Sequence, residues 1–283
     1  MNKIGLVLEG GAMRGLFSAG IMDVMMENHL FPAGIAGVSA GAAFGCNFKS
    51  QQIGRALRYN KRFSQDKRYC SFRSWLLTGD LFGAKFCYHT LPDELDKFDK
   101  KTFAANPMEF FLVCTNVHTG QAHYQQCMQA DFECYEWMRA SASMPLVSRV
   151  VKIGAAEYLD GALADAIPLK FMEKQGYEKN IVILTQPPDY RKPPQRGLPL
   201  FRLLLRRYPQ LIKVIEQRHK IYNETLDYIA NQMQKGNIFL MQPEKPLPSG
   251  RICHDADLLQ QTYDIGRVQA IRHLKQLKEF LQQ

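Results

Sequence analysis

The chain has 283 residues, 46% of them hydrophobic and 22% charged. That composition is too apolar for a disordered chain, and the length fits one α/β domain with an appendage. The net charge of +9 is concentrated: residues 49–73 hold eight basic side chains against Asp66, and residues 191–220 hold nine against Glu216. Local positive charge of this kind suits nucleic acid, anionic lipid or acidic ligands.

In chain order, the apolar run 4–8 predicts a buried strand. Glycines follow, then a helical pattern through Leu16, Ile21, Val24 and Met25. Residues 35–38 predict a second strand, running into Ser39 and a helix of small residues. The polar, basic stretch 50–68 predicts a surface helix, and 93–101 a short one. Residues 109–115 predict a strong strand, with Thr119-Gly120 turning into another at 122–126. A helix is expected over 132–143, a hairpin of 150–153 and 157–159 around Gly154, a helix over 164–174 and a buried strand over 180–185.

Strands alternating with helices predict an α/β layered fold with a mostly parallel sheet. Five prolines between 187 and 199 mark a boundary or crossing loop. That division gives a first domain over 1–187 and a mainly helical region over 188–283. The second region holds one late strand at 238–241. It ends in an amphipathic helix carrying Val268, Ile271, Leu274, Leu277 and Leu281. Seven irregularly spaced cysteines without a C-x-x-C argue against a disulfide framework or a metal site and fit a reducing compartment. The N-terminus enters a glycine loop instead of a cleavage site, and no apolar run reaches the roughly 18 residues of a spanning helix. The expectation is a cytoplasmic protein, peripheral to a membrane at most.

Three constellations carry chemistry. Gly37-Val38-Ser39-Ala40-Gly41 is a G-x-S-x-G pattern between an apolar strand and a helix, the arrangement that presents a serine for nucleophilic attack. Gly37 and Gly41 leave room for the sharp turn, and the helix N-terminus aims its positive dipole end at the reacting centre. The second is Glu9-Gly10-Gly11-Ala12-Met13-Arg14-Gly15, directly after the first strand. Leu16 and Phe17 exclude a P-loop, and the glycine spacing is wrong for a dinucleotide fingerprint. An oxyanion hole remains, with amides from Gly10, Gly11 and Ala12 and added charge from Arg14. The third is Asp160-Gly161-Ala162 at a strand end, a pattern that also suits a plain turn. Ser39 lacks an obvious histidine base. Of the seven histidines, His254 and His273 come late enough for a Ser–acid–His order, and His273 sits on the polar side of the terminal helix pattern.

Together these residues resemble the patatin-like phospholipase family. The match includes Ala140-Ser141-Ala142-Ser143-Met144-Pro145, which corresponds to the family's A-S-x-x-x-P stretch. Four motifs in order cover residues 3 to about 185; Ala12 stands where many members have a third glycine. The resemblance implies a three-layer patatin-like fold over 1–187 and a Ser39–Asp160 dyad in place of a triad. It also implies acyl-ester hydrolysis of phospholipid or lysophospholipid, with no metal or organic cofactor. Burial without a strong counter-charge raises a carboxylate's pKa and makes it a better base.

Two other readings stay open: a Ser–Asp–His esterase using His254, and a non-catalytic module that binds an anionic ligand or lipid. Residues 200–207, LFRLLLRR, set Arg202, Arg206 and Arg207 among leucines. They are the candidates for contact with an anionic membrane, against the plainer reading of a docked helix with a solvated basic face. No nucleic-acid motif accompanies the charge, so nucleic acid is not expected as a partner.

Overall fold

The computed structural model describes residues 3–282. Alternation along the strands explains the layers. In β1 (Ile4–Leu8), Ile4, Leu6 and Leu8 pack into one core cluster and Val7 into another. The same split recurs in β3 (Glu109–Asn116), where Phe110 and Leu112 face one way and Phe111 the other. In β7 (Lys179–Ile183) it sets Ile181 and Ile183 against Val182. A strand buried on both faces requires cover on both, and helices supply it, giving three layers.

The sheet has eight strands among the described residues. Its parallel core runs β3, β2 (Gly34–Val38), β1, β7, β8 (Ile238–Met241). At the other side β4 (Ala122–Gln126), β6 (Ala156–Asp160) and β5 (Val151–Ile153) pair antiparallel. β3 is the organising strand. β4 takes one of its edges; β2 and β6 share the other, end to end. β2 stops with Val38 opposite Val113, and β6 stops with Asp160 opposite Cys114. The C-terminal tips of two strands therefore meet over consecutive β3 residues.

One face carries α1 (Leu16–Glu27), α2 (Ala40–Lys49), α6 (Phe132–Ser141) and α10 (Ala256–Arg272). The other carries α7 (Leu169–Lys174) and the 26-residue α9 (Pro209–Gln234). The region after the prolines is thus woven into the same layers: β8 extends the sheet and α10 lies on α1. Their crossing is closed by two glycines. A Cβ on Gly20 would sit 2.1 Å from the Tyr263 oxygen, and one on Gly266 2.0 Å from the Phe17 oxygen. No helix of the described residues is long and apolar enough to cross a membrane.

Several elements differ from the sequence reading. Within 50–68 the helix is α3 (Arg55–Phe63), and its inner face is buried: the Arg55 guanidinium donates to the Asp96 oxygen at 2.6 Å and to Asn47 Oδ1 at 2.7 Å. Its charge hides a packed amphipathic helix. α4 (Phe72–Thr78) and a π-helical segment (Phe86–Leu95) were not anticipated. The short helix expected at 93–101 is α5 (Lys100–Ala105), set later because Asp99 caps it, accepting from the Thr102 amide at 2.9 Å. Likewise the helix expected from 164 is only a 3-10 turn (Gly161–Leu163), with α7 starting after Pro168. The terminal helix is two, α10 and α11 (Leu274–Leu281), joined at His273. Val268 and Ile271 face solvent while Leu277 and Phe280 are buried; the repeat of three and four had merged faces of different helices. Between β7 and α9 the prolines lead into α8 (Leu198–Leu204).

The glycine crossing yields a prediction. Gly266→Ala should destabilise the protein by about 1–3 kcal/mol in urea unfolding, because the added methyl overpacks the α1 contact. A gain of about 1 kcal/mol, as for an exposed helix glycine, would contradict this packing.

Candidate active site

Ser39 occupies the turn between β2 and α2 with φ 55° and ψ −118°. A non-glycine residue there stores roughly 1–3 kcal/mol of backbone strain, which the surroundings have to hold. Gly37 and Gly41 are sterically required: a Cβ on the first would lie 2.6 Å from the Gly41 oxygen, and on the second 2.5 Å from the Leu8 oxygen. Ser141, at the end of α6, supplies a clamp. Its hydroxyl accepts from the Ser39 amide at 2.9 Å and donates to the Val113 carbonyl at 2.7 Å. That carbonyl lies where β2 gives way to β6.

Asp160 stands at the other strand tip, 1% exposed. Its amide donates to the Ser143 oxygen at 2.8 Å, and its carbonyl accepts from Thr115 Oγ1 at 2.8 Å. Oδ1 accepts from the Ala162 amide at 2.8 Å, and Ser39 lies close enough to the carboxylate to lower its pKa. Gly161 allows the turn, since a Cβ there would meet the Val113 oxygen at 2.2 Å. Burial pushes the Asp160 carboxyl up to about 6, against the pull of the Ala162 amide, Arg218, Ser39 and Arg251. The proton is held more tightly in the folded state. Its stabilising contribution is therefore full below the unfolded value near 3.8 and lost as pH rises through about 6. Two units correspond to about 3 kcal/mol. The raised carboxyl lies in the same cavity wall as Ser39.

The glycine loop closes the site from β1. A Cβ on Gly10 would lie 2.9 Å from the Ser39 Cβ, and one on Gly11 2.7 Å from Thr185 Oγ1. Ala12 takes the left-handed region, φ 49°, so the chain adopts a glycine-like turn in spite of its methyl. The amides of Glu9, Met13 and Arg14 are bonded to Ile183, Arg251 and Gly11 oxygens. Among the described residues, those of Gly10, Gly11 and Ala12 have no protein acceptor. Glu9, buried, anchors the loop. Oε2 accepts from the Thr185 amide at 2.6 Å and from its hydroxyl at 3.0 Å, and Oε1 accepts from Tyr222 at 2.6 Å. Arg14 reaches Thr185 Oγ1 at 3.5 Å.

Two cavities meet at Ser39. One is mainly apolar, lined by Ala43, Phe44, Tyr59, Leu91 and Met138 among others, with Arg55 and Asn60 also in its wall. The other holds the glycine loop, Asp160 and four cations: Arg14, Lys192, Arg218 and Arg251. No histidine lines either cavity. His254 is held elsewhere, its Nδ1 2.7 Å from the Ser64 oxygen beyond α3. His273 sits at the joint of α10 and α11. Arg202 pairs with Glu216 at 2.8 Å, Arg207 lies over the Tyr208 ring and Arg206 is exposed; none lines the cavities at Ser39.

The structure thus brings Ser39, Asp160, Gly10, Gly11, Ala12 and Arg14 into one site and leaves the three α8-side arginines outside it. Sequence reasoning missed Ser141 as the clamp, although its stretch was singled out, and missed Lys192, Arg218 and Arg251 altogether. Basic clustering over 191–220 was the available signal for two of these, but it does not tell a solvated cation from one turned inward.

The sequence pattern of the patatin-like phospholipase family matches residues 6–172, and that of a domain of unknown function, DUF6363, matches 208–282. The chain is 28% identical to the uncharacterized protein YjjU of Escherichia coli, over 94% of this chain and 76% of that one. It is 28% identical to lysophospholipase NTE1 of Candida albicans over 73% of this chain, and 26% to that of Meyerozyma guilliermondii over 73%. It spans only 15% and 14% of those two proteins. Among solved structures, VipD from Legionella pneumophila aligns over 98% of this chain and 67% of its own, with a TM-score of 0.47 and 11% identity. With the family's pattern matched over more than half its length, this chain belongs to the patatin-like phospholipases.

Proposed function

We propose that the protein is a serine acylhydrolase of lipid esters, phospholipid or lysophospholipid, working through a Ser39–Asp160 dyad. The observation that carries this is a strained serine sharing one cavity wall with a buried carboxylate, where an apolar and a cationic cavity both reach Ser39. In the first step Ser39 Oγ attacks the acyl carbonyl and Asp160 takes its proton. The amides of Gly10, Gly11 and Ala12, with the positive charge of Arg14 behind them, hold the oxyanion. Collapse of the intermediate releases the alcohol, which takes the proton from Asp160, and leaves the acyl group on Ser39. Water then attacks with Asp160 again as base, and the fatty acid leaves.

The apolar cavity fits the acyl chain. Two exposed stretches are greasy and basic: Leu203 on α8 is 63% exposed and Leu77 on α4 is 71% exposed, with Arg206 and Arg73 nearby in sequence. The loop after α6 joins these parts, since Met144 lines the cationic cavity and the Leu146 oxygen accepts from Trp75 Nε1 at 3.0 Å. This supports peripheral contact with an anionic membrane. In this reading residues 1–187 hold the chemistry and 188–283 pack against them. Six of the seven free thiols are buried, and their number fits a reducing, cytoplasmic setting.

Ser39→Ala and Asp160→Asn should each lower kcat/KM on a lysophospholipid at least about 10³-fold while keeping cooperative unfolding. Fluorophosphonate labelling should vanish in Ser39→Ala. Near-normal turnover in folded Asp160→Asn would place the base elsewhere.

Because the base is active when ionised, kcat/KM should rise with pH through about 6 and then level off. An acid limb at the ordinary carboxylate value of ~4 would contradict the burial argument.

Ser141→Ala removes the clamp on the elbow without touching the dyad. We expect kcat to fall roughly 10- to 100-fold, the order seen when a reacting group is misplaced by an ångström. Unchanged kcat in Ser141→Ala would show that the elbow holds itself.

A further inference from the structure

Arg14, Lys192, Arg218 and Arg251 come from four separate segments: the turn after the glycine loop, the proline-rich crossing, the middle of α9 and the loop before α10. None takes part in an ion pair among the described residues. The acids in their wall are Glu9 and Asp160, the first committed to Thr185 and Tyr222, the second accepting from the Ala162 amide. Arg218, which lines this cavity, is fixed by its Nε, which donates to the Ala162 oxygen at 2.6 Å. Lys192 lies over the Tyr222 ring at 4.1 Å. Burial, with Arg218 and the other cations around it, pulls its ammonium down to about 7. Arg14 Nε is buried without a partner. Like charges gathered this closely out of water repel unless an anion joins them.

A neighbouring cavity shares Lys192, Arg218 and Arg251 in its wall and adds Arg196 and His219, whose Nδ1 is also buried and unpartnered. No acid lines that neighbouring cavity. Guanidinium forks and an ammonium around one point suit a tetrahedral oxyanion, and the neighbouring acid-free wall repels an ammonium headgroup. The opposite arm at Ser39 is a single apolar cavity.

We propose that Lys192, Arg218 and Arg251, with Arg14, hold the phosphate of the substrate while one acyl chain fills the apolar cavity, making an anionic lysophospholipid the preferred ester. The inference rests on the acylhydrolase reading and adds the headgroup class. It also gives the C-terminal region a task. Three of the four cations lie beyond the family's matched residues 6–172, and Arg218 and Arg251 lie within 208–282.

The test has a binding arm and a kinetic arm. By calorimetry, Ser39→Ala protein should bind sn-glycerol 3-phosphate, and adding Arg251→Ala or Lys192→Gln should weaken that binding at least tenfold. Arg218 is left intact because it also braces Ala162. In the kinetic arm, wild type, Arg251→Ala and Lys192→Gln are compared at about pH 6.5, where Lys192 is mainly protonated, on lysophosphatidate, lysophosphatidylcholine and monoacylglycerol of equal chain length. Wild type should prefer lysophosphatidate. In both variants the kcat/KM ratio of lysophosphatidate to monoacylglycerol should fall at least tenfold, mainly through KM. No binding of glycerol phosphate to folded Ser39→Ala would overturn the proposal. So would binding of inorganic phosphate with an unchanged substrate ratio, which would mark a free-anion site. Glycerol phosphate binding that the variants abolish, with no ester turnover by wild type, would sink the hydrolase reading and keep the phosphate subsite.

Discussion

The site depends on how β3 divides one edge between two strands. β2 arrives parallel and ends opposite Val113; β6 arrives antiparallel and ends opposite Cys114. Hydrogen bonding fixes both registers, so the residue after β2 and the last residue of β6 are forced together. Ser39 and Asp160 occupy those positions, although about half the chain separates them. The carbonyl of Val113 sits at the change of partner, and Ser141 takes it up and holds the Ser39 amide with the same hydroxyl. The backbone geometry that brings Ser39 and Asp160 together also leaves the acceptor that Ser141 uses to hold the elbow.

Electrostatics then divides the labour. Asp160 is raised to about 6 because it is buried, yet the Ala162 amide, Arg218, Ser39 and Arg251 keep it from rising further. A fully apolar setting would leave it protonated at neutral pH and useless as a base; direct pairing with an arginine would make it too weak a one. Glu9, at a similar depth, is spent on Thr185 and Tyr222 and so fixes the glycine loop. Two buried carboxylates thus have different work, set by their partners.

Much of this was legible in the sequence. Short-range patterns identified the strands of the sheet, the elbow, the glycine loop and the Asp160 turn, because each is encoded by a few adjacent residues with a steric or periodic requirement. What stayed hidden was long-range. Lys192, Arg218 and Arg251 read as surface charge, since nothing local shows that a cation faces inward. Arg55 misled in the same way, as its partner Asp96 lies on another segment. Val268 and Ile271 fell into a helical repeat whose break at His273 has no proline or glycine to announce it. The histidines invited a triad, and only the fold shows His254 turned to Ser64.

The most direct measurement is the ionisation of Asp160 itself, followed by carbon-13 NMR of carboxyl-labelled aspartate, with Asp160→Asn identifying its resonance. The account predicts a single titration near 6 that coincides with the acid limb of Ser39 acylation. An Asp160 carboxyl already ionised at about pH 4, or an acylation limb that persists unchanged in Asp160→Asn, would contradict it.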